Sequence, residues 1–267
     1  MAGLNLDLSG KTALVTGSTA GIGRAIAAGL AAQDAHVVIN GRSRKRVDEA
    51  IAAIRMEQPS ANLAGAVADL ATVVGAESIV EQFPNIDVLV NNVGIFEPKP
   101  FLEISDEDWR LFLDLNFMSG VRLSRAYLPG MIERAWGRIV FISSESGVQI
   151  PPEMVHYGVT KAAQIALARG IAEAVAGTGV TVNSVLPGPT RSEGVGAFVA
   201  QLAVQQGLSE REMEKQFFET ARPSSLIKRF ADVGEVANLV VYVCSPAASA
   251  TTGAALRVDG GIVRGIP

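Results

Sequence analysis

Short, continuously apolar runs rich in β-branched residues recur along the whole chain, and longer amphipathic stretches separate them. Such runs are typical of strands that are buried on both faces of a parallel sheet. Parallel neighbours need a crossover connection, which is usually a right-handed helix. The alternation therefore predicts an α/β fold, a Rossmann-like doubly wound parallel sheet of about seven strands with helices on both faces. The predicted strands are residues 11–16, 37–39, 64–68, 87–90, 138–142, 180–185 and 255–258.

Helical periodicity marks five of the stretches between or beside these strands. They are residues 22–33, 44–57, 105–131, 152–178 and 233–245. No linker or repeat divides the chain, so we expect residues 1–267 to form a single domain. Residues 190–229 form a long connection between the last two strands. Long connections in compact domains are usually functional, so we expect a lid insertion there.

The composition argues against several classes of protein. With 48% apolar and 19% charged residues, the chain has the material for a substantial core. A net charge of −4 argues against nucleic-acid binding, and no apolar run approaches the length of a membrane span. The two histidines, His36 and His156, lie far apart in sequence, so we expect no metal site. A single cysteine cannot form an internal disulfide, which favours a cytoplasmic location.

Three glycines, Gly17, Gly21 and Gly23, follow the first predicted strand and lead into the first helix. A glycine turn at a strand-to-helix junction lets the backbone approach a pyrophosphate, which the helix N-terminus attracts. The spacing is G-x-x-x-G-x-G rather than the more usual G-x-G-x-x-G, and an ordinary tight turn is the alternative. The position of the turn favours a dinucleotide cofactor.

The end of the second predicted strand favours NADP(H). A NAD site usually has an acidic residue there, whereas this chain has Gly41 followed by Arg42. A guanidinium binds the oxygens of a 2′-phosphate bidentately. The cations at positions 44–46 oppose the dipole of the helix that they begin, and a bound phosphate would remove this conflict. A solvated basic surface turn and a preference for NAD(H) are the alternatives.

Two further strand ends suit a cofactor groove. Asp69 follows the third strand, where a carboxylate suits an adenine amino group, and Asn92 and Gly94 follow the fourth. Ordinary turn chemistry is the alternative for both ends. Ligands of this architecture bind beyond the carboxyl ends of the strands, so the position favours a cofactor role.

Tyr157 and Lys161 stand four residues apart in a predicted helix, so the phenol and the ammonium share one face. A phenol with a pKa of about 10 is a poor base, but an ammonium and an oxidised nicotinamide together stabilise the phenolate. Tyr157 is then able to exchange a proton with a hydroxyl or carbonyl oxygen. Ser144, just after the fifth strand, is placed to hold the same oxygen. The Y-x-x-x-K pattern is common by chance, and its combination with the glycine turn makes it informative.

Several motifs occur together between residues 8 and 261. They are Thr16-Gly17-xxx-Gly21-Ile22-Gly23, Asn91-Asn92-Val93-Gly94, Ser144, Tyr157-xxx-Lys161, Pro187-Gly188 and Val258-Asp259-Gly260-Gly261. This combination resembles the short-chain dehydrogenase/reductase family in its compact single-domain form, and in particular its 3-oxoacyl-acyl-carrier-protein reductase-like members. The resemblance implies a catalytic tetrad of Asn116, Ser144, Tyr157 and Lys161.

The resemblance also implies the roles of individual residues. Asn116 is expected to hold a water in a proton relay, Lys161 to bind the nicotinamide ribose, and the backbone of Thr190 to meet the carboxamide. The predicted cofactor-binding residues are Gly17, Thr19, Gly21, Ile22, Gly23, Arg42, Asp69, Leu70, Asn92, Gly94, Tyr157, Lys161, Pro187, Gly188 and Thr190.

The motifs predict an NADP(H)-dependent oxidoreductase that interconverts a carbonyl and a secondary alcohol by hydride transfer, with Tyr157 as general acid and base. An NAD-preferring dehydrogenase, an epimerase or dehydratase of the family, and a cofactor-sensing binding protein without turnover are the alternatives. The presence of both Tyr157 and Lys161 argues against the last. Partners are a small-molecule carbonyl or alcohol substrate and other copies of the chain. The resemblance implies a homodimer or homotetramer formed through helices 105–131 and 152–178.

Loop location alone suggests which residues meet the substrate. Glu145, directly after Ser144, either binds a polar group of the substrate or faces solvent. The apolar candidates for the substrate pocket are Phe96, Ile150, Pro189, Val195 and Phe198.

Overall fold

A computed structural model of the chain describes residues 3–266, apart from the side chains of residues 197, 198, 201, 202 and 205. Within these residues the strands are β1 (Thr12–Val15), β2 (His36–Gly41), β3 (Leu63–Val67), β4 (Val88–Asn91), β5 (Gly137–Ile142), β6 (Val180–Pro187), β7 (Thr190–Arg191), β8 (Ala231–Asp232) and β9 (Ala255–Val258). Seven of them pair in parallel in the order β3-β2-β1-β4-β5-β6-β9, while β7 and β8 pair with each other. The predicted parallel sheet is confirmed.

Adjacent residues of each central strand pack into different cores on the two faces of the sheet. Leu14 and Leu89 belong to one core, while the neighbouring Val15 and Val90 belong to the other. Successive side chains of a strand point to opposite faces, so helices on both faces require apolar residues at every position. This requirement explains the continuous apolar runs of the sequence.

Helices cover both faces of the sheet. They are α1 (Gly21–Ala31), α2 (Arg44–Glu57), α3 (Val73–Gln82), α4 (Asp106–Phe112), α5 (Ser119–Glu133), α6 (Val155–Ala174), α7 (Glu193–Gln206), α8 (Glu210–Thr220) and α9 (Val233–Cys244). Helices α1, α2 and α9 pack on the face of Val15, and α3, α5 and α6 pack on the face of Leu14. The doubly wound arrangement follows from this division.

The helices differ from the sequence predictions in three places. α3 lies where no helix is predicted, because its buried residues are few and small apart from Ile79. A π-helical turn, Leu113–Met118, divides the predicted helix 105–131. α7 and α8 fall within residues 190–229 and bury their apolar residues in a small core of their own that includes Met213 and Phe218, rather than against the sheet.

Gly75, in the first turn of α3, packs against the backbone that ends β3. A Cβ at this position would lie 1.9 Å from the carbonyl oxygen of Asp69, whereas a Cβ on Gly234, in the first turn of α9, would meet nothing within 4 Å. We expect Gly75→Ala to lower the free energy of unfolding by about 1–3 kcal/mol because the helix must shift. Gly234→Ala, the control, should be neutral or raise it by up to about 1 kcal/mol. Urea unfolding of both variants measures the effect, and equal effects would contradict the close approach.

Candidate active site

The four residues predicted to be catalytic come together at the carboxyl ends of β4 and β5. Ser144 follows β5, Tyr157 and Lys161 occupy the first two turns of α6, and Asn116 lies in the π-helical turn. Asn116, Ser144 and Lys161 are buried, and Tyr157 is partly buried. Carboxyl ends of parallel strands form one edge of a sheet, which is where ligands of this architecture bind.

The ammonium group of Lys161 lies in a buried polar setting. Its Nζ donates to the carbonyl oxygen of Ile142 at 2.8 Å and to Oε1 of Gln164 at 3.3 Å. Burial lowers the pKa of Lys161 to about 7, because removal from water disfavours the charged form of an ammonium. In the free chain this side chain therefore changes its charge near neutral pH.

Gln164 joins Lys161 to the π-helical turn, and the sequence analysis missed it. Its Nε2 donates to the backbone carbonyl oxygen of Asn116 at 2.5 Å. The side chain of Asn116 accepts from the backbone N–H of Ile95 at 2.8 Å, and donates to the carbonyl oxygen of Ile95 and to Oγ1 of Thr160. Gln164 stands three residues after Lys161 on the same face of α6, and this spacing was a usable signal.

Tyr157 and Ser144 bring two hydroxyl groups together at the end of β5. Burial and the nearby carboxylate of Glu145 raise the pKa of Tyr157, whereas the Ser144 hydroxyl and the charge of Arg222 lower it. The sequence predicts the opposite net direction, from the charge of Lys161 together with an oxidised nicotinamide. In the free chain the ammonium lies 5.6 Å from the centre of the phenol ring, and burial is the largest influence on the pKa of Tyr157.

Glu145 and Arg222 form a buried ion pair beside these hydroxyls. Nε of Arg222 lies 3.4 Å from Oε1 of Glu145, and the two side chains are 13% and 6% exposed. The other carboxylate oxygen of Glu145 accepts the hydroxyl of Ser144 at 2.5 Å. Glu145 is therefore not a solvent-facing turn residue. Arg222, which lies 77 positions away in sequence, carried no signal that links it to the site.

The glycine turn leaves room for a ligand at the start of α1. This helix begins without a side-chain cap, so its first backbone N–H groups are available to an anion. Gly17 and Gly21 adopt positive φ, and a Cβ on Gly23 would lie 2.5 Å from the side-chain nitrogen of Asn92. That amide nitrogen donates to the carbonyl oxygens of Thr16 and Gly17. Asn92 therefore fastens β4 to the turn.

A cleft of about 280 Å³ lies beside the glycine turn and past the end of β2. Gly17 and four other residues predicted to bind the cofactor line it, namely Thr19, Arg42, Asp69 and Leu70. Its place beside α1 suits the adenosine end of a dinucleotide.

The cations at the end of β2 fall into two groups. Arg44 and Lys45 lie 3.8 Å from carboxylates one turn further along α2. Arg42 and Arg46 line the cleft, are exposed, and have no ion-pair partner within the described part of the chain. The strand itself ends in Gly41, so no acidic side chain opposes a phosphate at this position.

Two turns complete the edge of the groove. A Cβ on Gly94 would lie 3.2 Å from Oδ1 of Asn116 and 3.7 Å from Nζ of Lys161, so this glycine leaves the space between them open. Pro187 ends β6, and a Cβ on Gly188 would lie 2.6 Å from the carbonyl oxygen of Asp259. The buried Thr190 then donates its hydroxyl to the carbonyl oxygen of Gly188.

Comparison with known proteins decides the family. Residues 11–203 match the family model described as short chain dehydrogenase. The chain belongs to the short-chain dehydrogenase/reductase family. With its relatives, the match shows that this short-chain dehydrogenase is an NAD(P)-dependent oxidoreductase that acts on CH–OH groups.

Similar proteins extend over the whole length of this short-chain dehydrogenase. It is 45% identical to the uncharacterised oxidoreductase YvaG of Bacillus subtilis (strain 168), with 98% of this chain and 100% of the relative covered. It is 34% identical to the 3-oxoacyl-[acyl-carrier-protein] reductase FabG of Aquifex aeolicus (strain VF5), with 97% and 100% covered. The crystal structure of L-sorbose reductase from Gluconobacter frateurii, complexed with NADPH and L-sorbose, matches with a TM-score of 0.92 at 33% identity, covering 98% and 100%. The predicted family resemblance is confirmed.

The candidates for the substrate side of this dehydrogenase lie in different surroundings. The ring of Phe96 meets that of Tyr157 edge-on at 6.4 Å, and Ile150 packs against Gly158. Val195 packs against the small core of α7 and α8 instead. The side chain of Phe198 lies outside the described residues.

In the described part of the chain, no helix is both long and apolar enough to cross a membrane.

The lowered pKa of Lys161 makes the stability of the dehydrogenase depend on pH. Between about pH 7 and the ordinary value of 10.5, the unfolded chain holds a proton on this lysine that the folded chain does not hold. The unfolded state binds more protons, so the contribution of Lys161 to the free energy of unfolding rises with pH through this window. We expect Lys161→Met to gain stability over the wild type below about pH 7 and to lose this advantage as the pH rises. Urea unfolding across the window measures the difference, and a difference independent of pH would contradict the shift.

Proposed function

We propose that this short-chain dehydrogenase uses NADP(H) to interconvert a carbonyl and a secondary alcohol, with Tyr157 as general acid and base. The observation that carries the proposal is that Tyr157 lies with the buried Ser144 and Lys161 at the carboxyl end of β5. The ammonium of Lys161 is 5.6 Å from the centre of the phenol ring and donates to the carbonyl oxygen of Ile142, the last residue of that strand. The glycine turn and the uncapped start of α1 lie at the same edge of the sheet. The proton donor and the glycine turn thus lie at the same edge of the sheet.

The two hydroxyls divide the work on the substrate oxygen. In reduction, Tyr157 gives its proton to the carbonyl oxygen, and in oxidation its phenolate takes the proton of the alcohol. Ser144 turns its hydroxyl proton from Glu145 to the same oxygen and so fixes the position of the reacting carbon. A bound nicotinamide supplies or accepts the hydride and, when oxidised, adds the positive charge that favours the phenolate.

Three further residues hold the groups around this proton exchange in place, namely Lys161, Gln164 and Asn116. Lys161 is the predicted ligand of the nicotinamide ribose, and its hydrogen bonds with Ile142 and Gln164 hold the ammonium in place. Asn116 positions the loop after β4 through its bonds with Ile95. We propose that Gln164 fixes the positions of Lys161 and Asn116 relative to each other.

Residues 190–229 support the proposed role of a substrate lid. Helices α7 and α8 share a small core of their own rather than packing on the sheet. A Cβ on Gly21 would lie 3.1 Å from the side chain of Ser192, and Glu193 pairs with Arg24 of α1 at 3.2 Å. The start of the lid thus lies over the glycine turn.

The partners proposed are a small-molecule carbonyl or alcohol and other copies of the chain. α4 and α6 pack together through Trp109, Phe112 and His156. Leu111 and Val159 of the same two helices remain exposed. This apolar exposure supports self-association as a homodimer or homotetramer.

The role of Tyr157 is tested by the loss of absorbance of NADPH during turnover of a panel of ketones. We expect the wild type to turn over, and Tyr157→Phe to reduce kcat by at least about 100-fold, since it removes the exchanged proton. The affinity for NADPH should change little, because the ring remains. Tyr242→Phe, which removes a phenol on α9, is the control and should retain activity.

Two outcomes of this assay would contradict the proposal. Activity retained by Tyr157→Phe would remove the phenol from the mechanism. Tight binding of NADPH by the wild type without turnover of any ketone, β-ketoester or sugar would favour a cofactor-sensing protein.

The cofactor preference depends on Arg42 in the same way. Arg42→Ala should weaken the binding of NADPH about tenfold, in line with the loss of one charge-assisted hydrogen bond, and should change NADH binding little. Lys45→Ala is the matched control, because it removes a cation of the same segment that does not line the cleft. Titration of both variants with both cofactors gives the comparison, and equal losses for NADPH and NADH would contradict a phosphate site.

A further inference from the structure

The ion pair of Glu145 and Arg222 lies at the reacting end of the site rather than at its rim. One carboxylate oxygen of Glu145 accepts the hydroxyl of Ser144, the residue proposed to hold the substrate oxygen. Both charges also act on the Tyr157 phenol. A group of the substrate that lies next to the reacting oxygen therefore meets this pair.

A second carboxylate also approaches the guanidinium of Arg222. Arg222 also lies 3.4 Å from a carboxylate oxygen of Glu153, so two carboxylates share one guanidinium. A substrate carboxylate at this place would meet Glu145 and Glu153, and the repulsion between like charges disfavours it. It therefore argues against an anionic group beside the reacting carbon.

An apolar group is also a poor occupant. It would lie against a largely buried charged pair without offering it a hydrogen bond, and such contact with uncompensated charge is costly. A hydroxyl group can donate to the free lone pairs of Glu145 and accept from Arg222. Hydroxyls on adjacent carbons lie within hydrogen-bond distance of each other, as Oγ of Ser144 and Oε2 of Glu145 do here.

We propose that Glu145 and Arg222 select substrates with an uncharged hydroxyl on the carbon next to the reacting one, so that the enzyme interconverts α-hydroxyketones and vicinal diols. This inference rests on the proposed function and adds no chemical step to it. Glu145 receives the neighbouring hydroxyl while Ser144 and Tyr157 hold the reacting oxygen. Arg222 brings the lid to the same group.

Hydroxyacetone and butanone test the proposal, because they differ only on the carbon next to the carbonyl. This carbon carries a hydroxyl group in hydroxyacetone and a methyl group in butanone. We expect the wild type with NADPH to prefer hydroxyacetone by at least about tenfold in kcat/KM, since a site built for a hydroxyl rejects the analogue that lacks it. Acetoacetate, which carries a carboxylate on that side, should be the poorest of the three.

The double variant Glu145→Leu/Arg222→Met removes both charges and keeps similar volume. We expect the ratio of kcat/KM for hydroxyacetone over butanone to fall at least about tenfold in this variant, because the hydroxyl loses its partners. The comparison with the wild type cancels the intrinsic reactivities of the two ketones. Arg229→Met, which removes an arginine of the lid from its exposed pair with Glu235, is the control and should keep the wild-type ratio.

The outcomes separate the inference from the proposed function. A wild-type preference for butanone or acetoacetate, or an unchanged ratio in the double variant, would overturn the hydroxyl selection while the oxidoreductase function stands. Absence of turnover with every carbonyl compound would overturn the proposed function itself. A wild-type preference for butanone or acetoacetate overturns the selection without any variant, so the inference stays falsifiable even if the double variant does not fold.

Discussion

Thr16 and Asn92 tie together the carboxyl ends of β1 and β4, the two strands at which the order of the sheet reverses. Oγ1 of Thr16 accepts from the backbone N–H groups of Asn92 and Val93 at 2.9 and 3.0 Å. The side chain of Asn92 returns two hydrogen bonds to the backbone of Thr16 and Gly17. The glycine turn thus forms one side of the groove. The other side is the loop after β4, in which the backbone N–H of Ile95 donates to Asn116. The hydrogen bonds between Thr16 and Asn92 therefore fix both the groove and the loop that holds Asn116.

Two neighbouring residues of α6 show how burial assigns different roles. His156 is fully buried against Phe112 and Trp109, and within residues 3–266 neither of its ring nitrogens has a hydrogen-bond partner. Burial lowers its pKa, so the ring stays neutral and packs as an aromatic. Tyr157 has different neighbours, with its ring beside that of Phe96 and beside the ammonium of Lys161. Adjacent residues of a helix face different surroundings, so one serves the packing and the other faces the site.

Local patterns were enough to predict the sheet, the glycine turn and the neighbourhood of Tyr157, because each depends on residues close in sequence. The missed elements depend on distant contacts. α3 has little apolar surface of its own, and α7 and α8 bury theirs against each other. Arg222 reaches Glu145 only after the chain has folded back over the sheet.

The spacing of residues in the sequence also could not predict the direction in which the pKa of Tyr157 is shifted. The four-residue separation from Lys161 indicates a shared face, but it contains no information on burial or on the charge of Glu145. Electrostatics in a buried site depends on all the neighbours of a group, and these come from several elements.

The π-helical turn at Leu113–Met118 has a consequence for how α4 and α5 are joined. A π turn accommodates one more residue than an α turn, and one residue corresponds to about 100° of helix rotation. α4 carries Trp109 and Phe112 against His156, while α5 buries Leu123 and Met131 in the sheet-side core. Without the extra residue the two helices would be out of phase, and only one of these faces would meet its partner. The turn that contains Asn116 therefore also rotates α5 relative to α4. This rotation lets α4 pack against His156 while α5 packs against the sheet.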